Sequence, residues 1–229
     1  MSKNVEQESL ARAFKIIDKA LGFCYYKLAK REGIPLNHSA NHTLAKTSEE
    51  KRRHRKMQKI LLVIDMQNDF IDGALGTKEA VAIVPNVIKR IKEFDGSVFF
   101  TRDTHEVDYL NTQEGRNLPV EHCIRGSKGW EIRDEIDCLR KNDAIDKPSF
   151  GSDALGEMLR SMNEKDPIES VTIIGLCTDI CVISNAMIAK AFIPEVPIIV
   201  DANCCAGVSP KSHENALKAM EVCQIKVLR

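Results

Sequence analysis

A cysteine, an aspartate, a lysine and an Asp-x-His pair each stand just after a short apolar run in this chain. Cys181 follows the run Val171–Gly175 across the turn Leu176-Cys177-Thr178-Asp179-Ile180, and a helical stretch begins there. Unpaired N–H groups and the helix dipole at such a position favour a thiolate, lowering the pKa of the thiol. The same N–H groups are suited to holding the oxyanion of a tetrahedral intermediate. A cysteine beside an apolar run is more commonly a small core residue, and Cys24, Cys138, Cys204, Cys205 and Cys223 read that way. Asp65 ends the run Ile60–Ile64. It is either a helix N-cap or a partly buried acid with a raised pKa, fit to accept a thiol proton near neutral pH. Asp69 competes for the capping role. Lys147 precedes Pro148 at the end of another run. Alone it is a surface charge; beside an acid and a thiol it would hold the thiolate and orient the acid.

Asp103-Thr104-His105 closes a further run, with Glu114 and His122 in the loop beyond it. Two imidazoles and two carboxylates suit one divalent metal such as Zn, Mn or Fe(II). Asp-x-His alone is weak, and the polar stretch Tyr109–His122 also fits a solvated turn.

The elements that must position these groups are legible as alternation. Short Val/Ile-rich runs cover Ile60–Ile64, Val98–Thr101, Ala144–Asp146, Val171–Gly175, Ile198–Asp201 and Ile225–Leu228. They are apolar on both faces, as strands buried under two layers of helix are. Helical stretches lie between, near Ala80–Phe94, Ser152–Met162, Cys181–Phe192 and Ser212–Cys223. The pattern predicts an α/β fold: a doubly wound, mainly parallel six-stranded sheet with helices on both faces. Active sites of such sheets gather at the carboxyl ends of the strands, where the residues above fall.

Residues 1–56 read as a basic helical extension and linker, and residues 57–229 as the catalytic domain. Leu10, Phe14, Ile17, Leu21 and Leu28 give residues 8–31 an amphipathic pattern, stopped by Gly33 and Pro35, and residues 37–56 are polar. Residues 1–56 carry 13 Lys/Arg against 6 Asp/Glu, and the remainder 20 against 27, so the main body is mildly acidic. That balance gives no reason to expect nucleic acid as a partner, and no run is long enough to span a membrane. The 8 cysteines lack the spacing of a disulfide framework and imply reduced thiols in the cytoplasm.

Ile64-Asp65-Met66-Gln67-Asn68-Asp69-Phe70, Lys147 with Phe150, and Gly175-Leu176-Cys177-Thr178-Asp179-Ile180-Cys181-Val182 together resemble the signature segments of the isochorismatase-like cysteine hydrolases. The resemblance runs roughly from Met57 to Arg229. It implies an Asp–Lys–Cys triad of Asp65, Lys147 and Cys181. It also implies a cis peptide at Leu176–Cys177 and an oxyanion site made by the N–H groups of Cys177 and Cys181. Within the family the metal-type cluster is similar to that of the nicotinamidases. Asp103, His105 and His122 match their metal ligands, and Glu114 matches the variant with a carboxylate ligand. Asn111 lies near the position of the histidine used in the other variant. Phe70, Tyr109 and Phe150 are the expected aromatic walls of a substrate pocket. The stretch Leu118-Pro119-Val120-Glu121-His122 departs from the pattern, having no aromatic residue just before the histidine.

The resemblance thus implies a metal-assisted amidohydrolase that turns nicotinamide into nicotinate and ammonia through a thioester on Cys181. Its small-molecule substrate could instead be another amide, a ureido compound or a vinyl ether. A third reading is a binding module that uses its N-terminal arm. Members of the family often form dimers or tetramers, so a homo-oligomer is the expectation.

Overall fold

The computed structural model describes residues 57–229. The expected helix at 8–31, the linker at 37–56 and Cys24 lie outside the described residues. In chain order the elements are β1 (Gln58–Ile64), α1 (Asn68–Ile71), α2 (Lys78–Glu93) and β2 (Ser97–Asp103). A 3-10 turn (Tyr109–Asn111), α3 (Gln113–Asn117), α4 (Asp134–Asp137), β3 (Ile145–Lys147) and α5 (Asp153–Lys165) follow. Then come β4 (Ile168–Leu176), a π turn (Thr178–Val182), α6 (Ile183–Phe192), β5 (Ile198–Ala206), α7 (Pro210–Val222) and β6 (Lys226–Leu228).

The six strands form one sheet in the order β3-β2-β1-β4-β5-β6. Every neighbouring pair is parallel. Each run expected to be a strand is one, and most continue past the apolar stretch. β2 extends to Asp103 and β3 to Lys147, so the polar side chains belong to the strands themselves.

The reason for the double layer is visible in β1. Ile60, Leu62 and Ile64 pack with Leu155 and Leu159 of α5 and Ala186 and Ala189 of α6. Leu61 and Val63 point the other way, onto Ile83, Val87 and Ile91 of α2. All five β1 residues are fully buried, and each such side chain contributes on the order of 1.5–3 kcal/mol to folding. Side-chain caps fix where the helices begin. Thr77 accepts from Ala80 N, Ser152 from Leu155 N, and Ser209 with Ser212 closes a capping box at α7.

After β1 the chain builds outward through β2 to β3, then crosses back to lay β4 on the other side of β1. The crevice over the carboxyl ends of β1 and β4 is the switch point where such folds bind ligands. Gly175 lies there with φ +117, paired with Ile64. A β-carbon at Gly175 would lie 2.1 Å from the Ile64 carbonyl oxygen, so only glycine lets β1 and β4 close at this point.

Among the described residues no helix is long and apolar enough to cross a membrane. The seven cysteines described are all unpaired. Cys204 and Cys205 are buried, but Cys138 and Cys223 are exposed, which corrects their reading as core residues. Cys138 caps α4 and Cys223 caps α7, where the chain turns away from the core.

Candidate active site

Asp65, Lys147 and Cys181 come from the ends of β1 and β3 and from the turn after β4, and the sheet brings them together. Lys147 is the hub. Its Nζ lies 2.7 Å from Asp65 Oδ2 and donates to Asp103 Oδ1 and to the Ser149 carbonyl, each at 3.1 Å. It also meets Cys181 Sγ at 3.5 Å. Thr101 Oγ1, next door on β2, donates to Asp65 Oδ1 at 2.7 Å. Asp65 itself adopts φ +47 and is fully buried; it is no helix cap, and of its two readings the buried acid holds, enclosed completely where partial burial was expected. Gln67 is the cap residue of α1, without a side-chain capping bond. Asp69 does not cap α1 either: its carboxylate accepts from Cys123 N at 2.7 Å and Ala74 N at 3.2 Å. No hydrogen bond joins Cys181 Sγ directly to Asp65; the two meet through the ammonium.

The electrostatics follow from burial. Burial raises the Asp65 pKa; Lys147 opposes this and Asp103 adds to it, leaving the acid above its ordinary range. Burial works against the Lys147 charge, but Asp65, Cys181 and Asp103 outweigh it and keep the ammonium charged. Burial and the Asp65 charge push the Cys181 thiol well up, with Lys147 opposing. The expectation of a lowered thiol pKa is thereby corrected. Cys181 stands fourth in the π turn, buried beside a carboxylate, and that enclosure outweighs the pull of the turn's N–H groups on the thiol. The peptide Leu176–Cys177 is cis.

A second group adjoins the first through Asp103. Ligand atoms of Asp103, His105, Glu114 and His122 all lie within 4.8 Å of one another. Asp103 Oδ2 is 3.2 Å from His105 Nε2 and 3.7 Å from His122 Nε2. Glu114 Oε1 is 3.7 Å and 3.8 Å from the same two nitrogens. His105 Nε2 is buried and makes no aligned hydrogen bond. His122 Nδ1 is engaged by the Val120 carbonyl at 2.8 Å, which turns Nε2 inward. Burial disfavours charge on His105, yet Asp103 and Glu114 beside it raise its pKa. Two carboxylates and two inward imidazole nitrogens, one without a partner, fit a divalent cation such as zinc.

Cys181 and the four residues of the second group line one cavity of about 450 Å³, with Asp65 and Lys147 buried behind it. Phe70 and Phe150 are on its wall, and Cys177, Cys181, Asp103, His105, Glu114 and His122 on its floor and sides. Tyr109, expected as a wall, is not. It is fully buried behind the imidazoles, its ring 4.7 Å from His105 and 5.0 Å from His122, its hydroxyl donating to the Leu118 carbonyl. Asn111 is in the 3-10 turn and does not join the cluster.

Two amides that no sequence motif singles out hold this arrangement. Gln67 is fully buried and pairs with the backbone of Asp103 in both directions: Oε1 accepts from Asp103 N at 2.7 Å and Nε2 donates to Asp103 O at 2.8 Å. Asn185, in α6, bonds the Cys181 carbonyl. Gln67 lies inside the quoted signature segment, which was the one available signal; nothing in the sequence pointed to Asn185.

An acid, an ammonium and a thiol at the switch point of a parallel sheet are the groups that cysteine-nucleophile chemistry requires. The family model described as the isochorismatase domain matches residues 59–229, and the chain belongs to that family. It is 28% identical over 208 residues to a nicotinamidase of Schizosaccharomyces pombe, covering 73% of this chain and 91% of that protein. The crystal structure of a nicotinamidase/pyrazinamidase from Bacillus subtilis superposes with a TM-score of 0.65 at 28% identity, covering 76% of this chain and 100% of that one. A pyrazinamidase of Pyrococcus horikoshii in complex with zinc gives a TM-score of 0.63 at 26% identity, over 75% and 99% of the two chains. The family and these relatives support a hydrolase acting on the carbon–nitrogen bond of an amide.

Proposed function

We propose that the protein is a metal-assisted cysteine amidohydrolase whose substrate is nicotinamide. The observation that carries this reading is the Lys147 ammonium, which touches Asp65, Cys181 and Asp103 at once, while the far oxygen of Asp103 faces both imidazoles. The relatives named as nicotinamidases and the zinc in a solved relative support it.

In the resting site Asp65 is a carboxylate paired with Lys147, and Cys181 is a thiol. As the amide enters, Asp65 takes the thiol proton, its raised pKa bringing it nearer that of the donor. Lys147 stays charged and stabilises each anion in turn. Sulfur attacks the carbonyl carbon, and the N–H groups of Cys177 and Cys181 receive the oxyanion. Asp65 returns its proton to the departing nitrogen, so ammonia leaves and a thioester remains. Water then cleaves the thioester, with Asp65 as base, giving nicotinate and the free thiol. Asp103, His105, Glu114 and His122 would hold a divalent metal that orients the ring nitrogen of the substrate. Phe70 supplies an apolar wall for the ring. Unpaired cysteines around such a thiol suit a reducing compartment such as the cytoplasm.

A second reading changes only the substrate. Tyr109 is turned away from the cavity, Leu118 lines it, and no aromatic residue stands just before His122, where the resemblance leads one to expect one. Those features favour another small heteroaromatic amide. Ammonia release from nicotinamide, pyrazinamide and carbamoyl compounds, with metal content measured on the same preparation, separates the two. Turnover of nicotinamide that disappears in Cys181→Ala supports the proposal; full turnover in that variant refutes it.

A further inference from the structure

Asn185 is a fully buried amide in the first turn of α6, directly after the π turn that carries Cys181. Its side chain makes three hydrogen bonds. Nδ2 donates to the Cys181 carbonyl at 2.8 Å and to the Phe150 carbonyl at 3.0 Å. Oδ1 accepts from Ser152 N at 3.0 Å. Two carbonyls and one N–H fix which end of the amide is which.

These bonds close a ring. Starting from the Cys181 carbonyl, the path runs through Asn185 to the Phe150 carbonyl and along the chain to Ser149. The Ser149 carbonyl accepts from Lys147 Nζ, which meets Cys181 Sγ. The loop in this ring has little else to hold it to the nucleophile. β3 is three residues long and lies at the sheet edge, paired to β2 alone. Among the described residues, every hydrogen bond between residues 148–152 and 177–192 is made by Asn185. Pro148, Ser149 and Phe150 all line the cavity, so the loop that follows Lys147 is also a wall of the site.

We propose that Asn185 is a positioning residue for the hydrolysis: its amide sets the spacing of the Cys181 sulfur and the Lys147 ammonium and seats the Phe150 wall against them. It touches neither substrate nor reacting atoms. The inference rests on the cysteine-hydrolase reading above and extends it to a residue outside the triad and the metal-type cluster.

The test compares Asn185→Ala and Asn185→Thr with Asn163→Ala in the full-length protein. The threonine variant would keep a hydroxyl able to bond the Cys181 carbonyl but not the loop. Asn163 Oδ1 accepts from Ile168 N, a turn bond remote from the cavity, so its loss is a control for stability alone. Folding is checked by circular dichroism. Two readouts follow: the split of kcat and KM for ammonia release from nicotinamide, and the alkylation rate of Cys181 by iodoacetamide at neutral pH, mapped by mass spectrometry. Both Asn185 variants should lose roughly 10- to 100-fold in kcat, because displacement of reacting groups by about an ångström has that effect. Alkylation of Cys181 should slow by about threefold or more, as the thiolate fraction falls when the ammonium moves away. Asn163→Ala should match the wild type in both. Unchanged kcat and an unchanged or faster alkylation in folded Asn185→Ala overturn the proposal; if that variant does not fold, Asn185→Thr is read by the same criteria. A wild type that releases no ammonia from nicotinamide defeats the substrate assignment, and the alkylation rates then decide the role of Asn185 separately.

Discussion

Asp103 and Lys147 form a 3.1 Å ion pair that joins the acid–thiol group to the imidazole–carboxylate group. Oδ1 of Asp103 serves the ammonium while Oδ2 serves His105 and His122, so one carboxylate belongs to both halves of the site. Its pKa is lowered: burial opposes ionisation, but the nearby His105 and Lys147 prevail.

Asp103→Asn should therefore damage two things at once. Zinc content after dialysis should fall to background, and kcat/KM should drop about 100-fold or more, since even partners of metal ligands are worth about 10–100-fold. Inductively coupled plasma mass spectrometry and the ammonia assay check this. A variant that retains stoichiometric metal would show that these four residues are not its ligands.

Lys147→Met should destabilise as well as inactivate. The ammonium neutralises Asp65 and Asp103, all three side chains being buried. Removing one partner of a buried pair costs about 3–5 kcal/mol, because the other charge is left without compensation. Urea unfolding should show the lower midpoint with an unchanged slope. Lys147→Arg should not rescue activity, since a planar fork cannot reproduce the compact contacts to Asp65, Asp103, the Ser149 carbonyl and the Cys181 sulfur.

Gln67→Leu should separate support from chemistry. The change strands the Asp103 N–H and C=O and also the Trp130 carbonyl, to which Gln67 Nε2 donates at 2.8 Å. A stability loss of about 1–3 kcal/mol follows from unsatisfied buried polar groups. Metal affinity should weaken about tenfold, because Asp103 loses the amide that holds its backbone in place. Calorimetric titration with zinc measures it; affinity equal to wild type would mean that the Asp103 backbone does not need the amide.

His213, outside the triad, gives a pH dependence of its own. Burial depresses its pKa, with Glu214 and Asp179 opposing and Arg229 assisting. The neutral ring shares a 2.8 Å hydrogen bond with Thr178 Oγ1 in the turn that carries Cys181. A depressed folded pKa means the unfolded chain binds the proton more readily. The contribution of His213 is thus fully present above its unfolded pKa of about 6.5 and declines as pH falls toward the folded value. Thermal unfolding at about pH 7.5 and about pH 5.5 should show a steeper loss in the wild type than in His213→Asn. Equal losses in the two proteins would remove His213 from the account.

Much of this fold is legible in the residue order because parallel strands buried on both sides must be apolar throughout. Ile60–Ile64 and Val171–Gly175 announce themselves in that way, and the polar residue that ends each run marks the crevice. The charge state of Cys181 was not legible. Its helix position suggested a lowered pKa, whereas enclosure beside Asp65 raises it, and enclosure is a property of the packed chain. Tyr109 was misplaced for a similar reason: an aromatic in a ligand-bearing loop can face the cavity or back the ligands, and only packing decides. Gln67 and Asn185 pair with backbone groups about 35 residues distant in sequence, Asp103 and Phe150, and no local pattern encodes such a partner.

The proposed acid and the proposed nucleophile are carried by β1 and β4, the two central strands, which interlock where Gly175 meets Ile64. Neither group rides on a peripheral flap. Warming cannot pull those two apart without parting the middle of the molecule, so any activity lost below the melting temperature should be lost at the sheet edge, where short β3 carries Lys147.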